Sequence, residues 1–163
     1  DHPTHGVSLA PLLDGTADSV RDWAIGGVWG NWVQVTDGVT KYARAPVDDN
    51  FPLSAWSNRW STMPVHIDGV VGLPAPDQRA WLDTMPGTDV PVLRQPFEAG
   101  DPLPIWALGH QVDEHHVYRL DVDPDEQENR SGERAEQEMA ELLRTALLEV
   151  EAPTEQLQRL GLT

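Results

Sequence analysis

Between residues 133 and 150 the apolar positions Ala135, Met139, Leu142, Leu143, Ala146, Leu147 and Val150 recur in steps of three and four. They form one stripe, with Glu136, Glu138, Glu141 and Arg144 mostly on the opposite, wet side. The spacing predicts a long amphipathic helix from about Glu133 to Val150, with Leu142, Leu143 and Leu147 turned toward a sheet. Glu133 suits the positive start of that helix, whereas Glu149 and Glu151 sit poorly at its end. Earlier in the chain the period falls to two. Trp23 to Trp29 reads as a strand weakened by Gly26 and Gly27, and Trp32 to Thr36 and Val39 to Arg44 flank Asp37-Gly38, a hairpin signal. Val33 and Val35 share one face of the second strand, and Trp32 and Gln34 take the other. Val117 to Val122 is a further short strand, and Asp123-Pro124 turns the chain toward the long helix. Before the strands, Ser8 can cap a short helical turn, Pro11 fits its first turn and Gly15 can end it. After the long helix, Pro153 to Leu160 forms a last turn that closes at Gly161.

From Ala45 to His115 this periodicity dissolves. Ten of the 14 prolines and four of the 7 tryptophans (Trp56, Trp60, Trp81, Trp106) lie there, and only a short helix around Asp77 to Leu82 is suggested. So long an irregular stretch inside one domain points to function or to packing on another surface. Its tryptophans argue against plain disorder. The expected fold class is α+β: a small antiparallel sheet of about four strands packed by a long C-terminal amphipathic helix, with a Pro/Trp-rich irregular insertion. The 163 residues divide into a linker turn and strands (1–44), the insertion (45–115), and the last strand and helices (116–163), within a single subdomain.

Composition narrows the function more than the fold. Lys and Arg number 11 against 27 Asp and Glu, a net charge of −16. Such a surface repels phosphate backbones, which disfavours nucleic acid and anionic membranes as partners. No apolar run approaches the roughly 20 residues of a membrane span. With no cysteine there is no thiol nucleophile, disulfide framework or thiolate metal site. The bias toward acid, with Lys41 as the single lysine, reads as bacterial. It leaves the compartment open, leaning to the cytoplasm.

Three segments carry a resemblance. His5-Gly6-Val7-Ser8-Leu9-Ala10-Pro11-Leu12-Leu13-Asp14-Gly15 resembles the segment that leads out of the sulfatase catalytic domain. Val33-Gln34-Val35-Thr36-Asp37-Gly38-Val39-Thr40-Lys41-Tyr42 is similar to a hairpin of those enzymes. Val117-Tyr118-Arg119-Leu120-Asp121-Val122-Asp123-Pro124-Asp125-Glu126-Gln127-Glu128-Asn129 resembles the strand and turn that precede their final helix. In this order they look like the C-terminal region of an arylsulfatase-like member of the alkaline phosphatase superfamily, over about 1–44 and 110–150. The resemblance implies a sulfate-ester hydrolase whose small sheet and helix pack beside a large α/β catalytic domain. It implies no catalytic residue and no metal ligand in this chain. The family's formylglycine arises from a Cys/Ser-x-Pro-x-Arg motif, and Ser8 is followed by Leu9-Ala10-Pro11. The formylglycine and a divalent cation, calcium or magnesium, are expected in a catalytic domain encoded upstream. That domain is the expected partner, alongside possible self-association. The other reading is a stand-alone glycan- or protein-binding module that uses the Trp-rich 45–115 loops.

Several residues invite sharper readings. Asp121-x-Asp123-x-Asp125 opens like a calcium loop, but positions six and twelve are Glu126 and Gly132 where glycine and glutamate are needed, so a solvated turn is expected. His115 and His116, as strand neighbours, point to opposite faces and cannot easily share an ion. Ser8, Ser54, Ser57 and Ser61 can be paired on paper with His66, yet no sharp nucleophile turn supports a triad. The two residues placed near a substrate pocket are Lys41, whose cation suits a sulfate ester, and His66, in a loop that would border such a pocket. For Lys41 the plainer expectation is a side chain that snorkels to solvent or pairs with a neighbouring acid.

Overall fold

A computed structural model describes residues 4–58, 79–85, 87–101 and 113–163. Its class is α+β, with two antiparallel sheets and a C-terminal helical segment among the described residues. The first sheet contains β1 (Ala24–Gly27), β2 (Val33–Thr36), β3 (Thr40–Arg44) and β7 (His116–Arg119), in the order β1-β2-β3-β7. Thr36 pairs with Lys41 and the Asp37 N–H donates to Thr40 O at 3.3 Å, so the tip of the three-residue connection is Gly38-Val39, one position beyond the expected Asp37-Gly38. Asp37 causes the shift. Its carboxylate accepts the N–H groups of Val39 (2.8 Å) and Thr40 (2.6 Å), and Gly38 takes φ +90°, a region open to glycine.

Alternation decides which face of this sheet is covered. Val33 and Val35 on β2, Tyr42 on β3 and Val117 on β7 are buried on one side. Against them lies α2 (Arg134–Glu149), through Met139, Leu143 and Leu147, with Leu142 half-buried at the margin. Just ahead of α2, Glu136 reaches back to accept the Gly132 N–H at 2.6 Å, closing the turn that leads into the helix. The early turn is α1 (Ala10–Leu13); Pro11 sits in its first turn, and Ser8 Oγ accepts the Ala10 N–H at 3.3 Å.

A short helix, α3 (Thr154–Arg159), follows, and Leu157, Leu160 and Leu162 complete the same core. Arg159 on α3 is 1% exposed. Its Nη1 donates to Asn31 O (2.8 Å) and Asn50 Oδ1 (2.6 Å), and its Nε donates to Gln156 Oε1 (3.1 Å). Burial among these neutral acceptors pulls its pKa down to about 10.

The stretch expected to be irregular instead holds a second sheet. It contains β4 (Leu53–Ser57), β5 (Trp81–Thr84) and β6 (Pro91–Phe97), in the order β4-β6-β5. The expected helix around Asp77 to Leu82 is also corrected: Trp81 and Leu82 are strand. The prolines of these strands are placed where they cost least. β4 pairs with residues 93–97 of β6 and β5 with residues 91–94. Pro91 therefore has a neighbour only on the β5 side and Pro96 only on the β4 side, so each ring can occupy an unpaired edge. Staggering turns a central strand into two half-edges.

Candidate functional site

The hairpin β2–β3 and the strand β7 are direct neighbours, with Lys41 opposite Tyr118 and Tyr42 opposite Val117. Lys41 Nζ donates to both carboxylate oxygens of Glu126, at 2.8 and 2.7 Å, joining the hairpin to the turn after β7. That turn is held by its own polar residues. Asp123 accepts the N–H groups of Gln127 and Glu128, both at 2.9 Å, which holds its carboxyl below the ordinary range. Asn129 Oδ1 accepts the Val117 N–H at 2.9 Å, and its Nδ2 donates to His115 O at 3.1 Å. Asp121 is paired with Arg119 at 2.7 Å, and that contact lowers its pKa in turn.

These contacts bear on each candidate in turn. Lys41 is paired with an acid, and its ammonium is committed to Glu126 rather than standing free for a sulfate ester. His66, the other pocket candidate, lies outside the described residues, as do Ser61, Trp60 and Trp106. Asp121 and Asp123 are aimed at separate partners. His115 and His116 take opposite faces: His115 packs on Tyr42 of the covered side, whereas His116 Nδ1 meets the Tyr118 hydroxyl at 3.0 Å. Ser54 has a carboxylate and a guanidinium for neighbours, donating to Glu155 Oε2 at 2.9 Å and accepting from Arg94 Nε at 3.3 Å. A serine nucleophile needs a base to take its proton, and an acceptor already held by a guanidinium is a poor one.

The second sheet contributes a cluster that the sequence reading missed. Trp56, Arg94 and Trp81 stand opposite one another on adjacent strands and so share a face. The Arg94 guanidinium lies 4.8 Å from the Trp56 ring centroid and 5.1 Å from that of Trp81. Arg94 Nη2 donates to Glu155 Oε2 on α3 at 2.5 Å, and Nη1 to Asp83 Oδ2 at 3.2 Å. Glu155 also accepts the Trp56 indole N–H at 2.8 Å. The carboxyl of Asp83 is drawn below its ordinary range by the Thr84 N–H first and by Arg94 second. A cation–π sandwich between two tryptophans leaves no periodic trace in a sequence. The only available signal was two tryptophans and an arginine within a proline-rich stretch.

Beside this cluster, a cleft of about 330 Å³ opens between β1, the start of β4 and α3. Ile25, Trp29, Leu53, Leu147 and Pro153 give it apolar walls, and Glu155 and Arg159 stand at its polar end. Both charged groups are already occupied by protein partners. Chemically the arrangement among the described residues is suited to binding an apolar group. The residues do not fit the cofactors of the resembling family. The chain has no cysteine, Ser8 lies outside the required motif, and the acidic turn spends two of its carboxylates on Arg119 and on backbone amides. No helix among the described residues is long and apolar enough to cross a membrane. No family model matches the chain, and no curated protein matches it.

Proposed function

We propose that this chain is the C-terminal, non-catalytic part of a sulfatase-type hydrolase, completing the fold of a catalytic domain and bordering its substrate pocket. The observation that carries this reading is the convergence of the family-like segments. The hairpin and the strand–turn, 75 or more positions apart, pair edge to edge and are pinned by Lys41 and Glu126 at 2.7 Å. Residues that match a motif and also meet in space support a common architecture more strongly than either fact alone. The decisive measurement is the genomic reading frame around residue 1. The expected result is an upstream, in-frame domain with a Cys/Ser-x-Pro-x-Arg motif and an early Asp-Asp pair. A start codon immediately before residue 1, with no such domain in frame, would remove the reading. The isolated chain is expected to hydrolyse neither aryl sulfates nor aryl phosphates, with or without calcium, magnesium or manganese. Saturable turnover abolished by one substitution in this chain would contradict that.

The Trp81 ring supports the alternative, a glycan- or protein-binding module. It is 43% exposed while Arg94 packs against it, an arrangement suited to stacking. Glycan array binding lost in Trp81→Ala, together with a reading frame that lacks the upstream domain, would replace the first reading by this one.

A further inference from the structure

His115 stands where three elements meet. It immediately precedes β7, its ring packs edge-on against Tyr42 of β3, and its Nε2 lies 4.0 Å from Glu136 Oε1 in the first turn of α2. Its Nδ1 accepts the backbone N–H of Ala45 at 3.2 Å. Ala45 is 2% exposed and is the first residue beyond β3, on the stretch that carries the chain from the four-stranded sheet to the three-stranded one. An acceptor at Nδ1 requires a lone pair there. The neutral ring therefore carries its proton on Nε2, toward Glu136.

We propose that His115 is an acid-sensitive latch on the passage between the two sheets, holding Ala45 when neutral and releasing it when protonated. Protonation places a hydrogen on Nδ1, and two N–H donors then face each other across the same gap. The buried Ala45 N–H loses its acceptor, and a buried donor without a partner destabilises the state that holds it. Burial sets the direction, and the charged groups around the ring adjust it. Arg44 of β3 and His116 of β7 oppose a positive imidazole, Glu136 of α2 favours it, and the Tyr42 phenol, itself pushed upward by burial, stays neutral. Burial is the largest influence and outweighs Glu136, so the ring titrates below its ordinary value. A histidine whose folded pKa is lowered stabilises the fold fully above its unfolded value, about 6.5, and loses that contribution as pH falls.

The test is nuclear magnetic resonance on the whole chain labelled with ¹⁵N. At about pH 8 the His115 nitrogen shifts are expected to report the Nε2–H tautomer. Between about pH 8 and pH 4.5, Ala45 amide protection, corrected for intrinsic exchange, is expected to fall about tenfold in step with His115 titration. His115→Asn, whose Oδ1 accepts at any pH, should keep Ala45 protected without the step. A proton on Nδ1 at pH 8 would overturn the proposal. So would a His115 titration that leaves Ala45 protection unchanged, a result the unaltered protein can give even if the variant does not fold.

Discussion

The two sheets solve the same problem with different materials. The four-stranded sheet is held by a dry face: Val35, Tyr42 and Val117 under Leu143, all fully buried. The three-stranded sheet is fastened by a charge network, in which Arg94 lies between two tryptophans and is drawn by Glu155 and Asp83. Hydrophobic burial is roughly proportional to area and indifferent to geometry, so substitutions in the first sheet should scale with the volume removed. The second depends on a few directed contacts and should fail by steps.

The contrast can be broken most severely from the apolar side. Leu143→Ala removes a residue with 0% exposure and is expected to cost ~2–5 kcal/mol in urea unfolding. A change below about half a kcal/mol would mean that the helix does not supply the main core. Next in size, Glu155→Gln deprives Arg94, Ser54 and Trp56 of a charged acceptor. About 1.5–3 kcal/mol is expected, with hydrogen exchange rising in β4 and β6 more than in β2 and β3. Uniform loosening of both sheets would erase the distinction. Lys41→Met, at the half-exposed pair with Glu126, should cost about 0.2–1 kcal/mol, and less in high salt. The smallest effect belongs to Asp123. Its folded pKa is depressed, so its contribution is present above the unfolded value and is lost as pH falls below it, through the acid range. Asp123→Asn should flatten that acid limb in a thermal-melt series against pH, and an unchanged limb would count against the turn's capping role.

How much of this could be read from the residues follows the same division. The stripe from Ala135 to Val150 and the alternation through Val33 and Val35 led directly to α2 and β2, because burial leaves a period. Of the two plain readings of Lys41, solvent or an acid partner, the structure shows the second, and the sequence could not single out Glu126, 85 positions away. The second sheet was illegible for a physical reason. Its strands carry prolines that only a stagger between neighbours makes harmless, and its fixing is a guanidinium between two rings, which no spacing rule encodes. Asp37 shows the same limit at smaller scale. The hairpin was visible, but a side chain binding two backbone amides moved its loop by one residue.

The position of Arg159 and Glu155 in the chain has a consequence for synthesis. Residues 154–162 send Arg159 to Asn31 and Asn50, Arg44 to the carbonyls of Leu160 and Gly161, and Glu155 to Ser54, Trp56 and Arg94. While these residues are still inside the ribosome, the hairpin β2–β3 can close, but the Arg94 cluster lacks its principal anion and the loops at Asn31 and Asn50 lack their shared donor. Until residue 160 has emerged, the contacts that join the two sheets among the described residues are those of Trp29 with Ser54 and Phe97, and of Asn50 with Gly30. The later contacts of Arg159 with Asn31 and of Glu155 with Ser54 span more than 100 residues, the kind of long-range closure that slows folding in general.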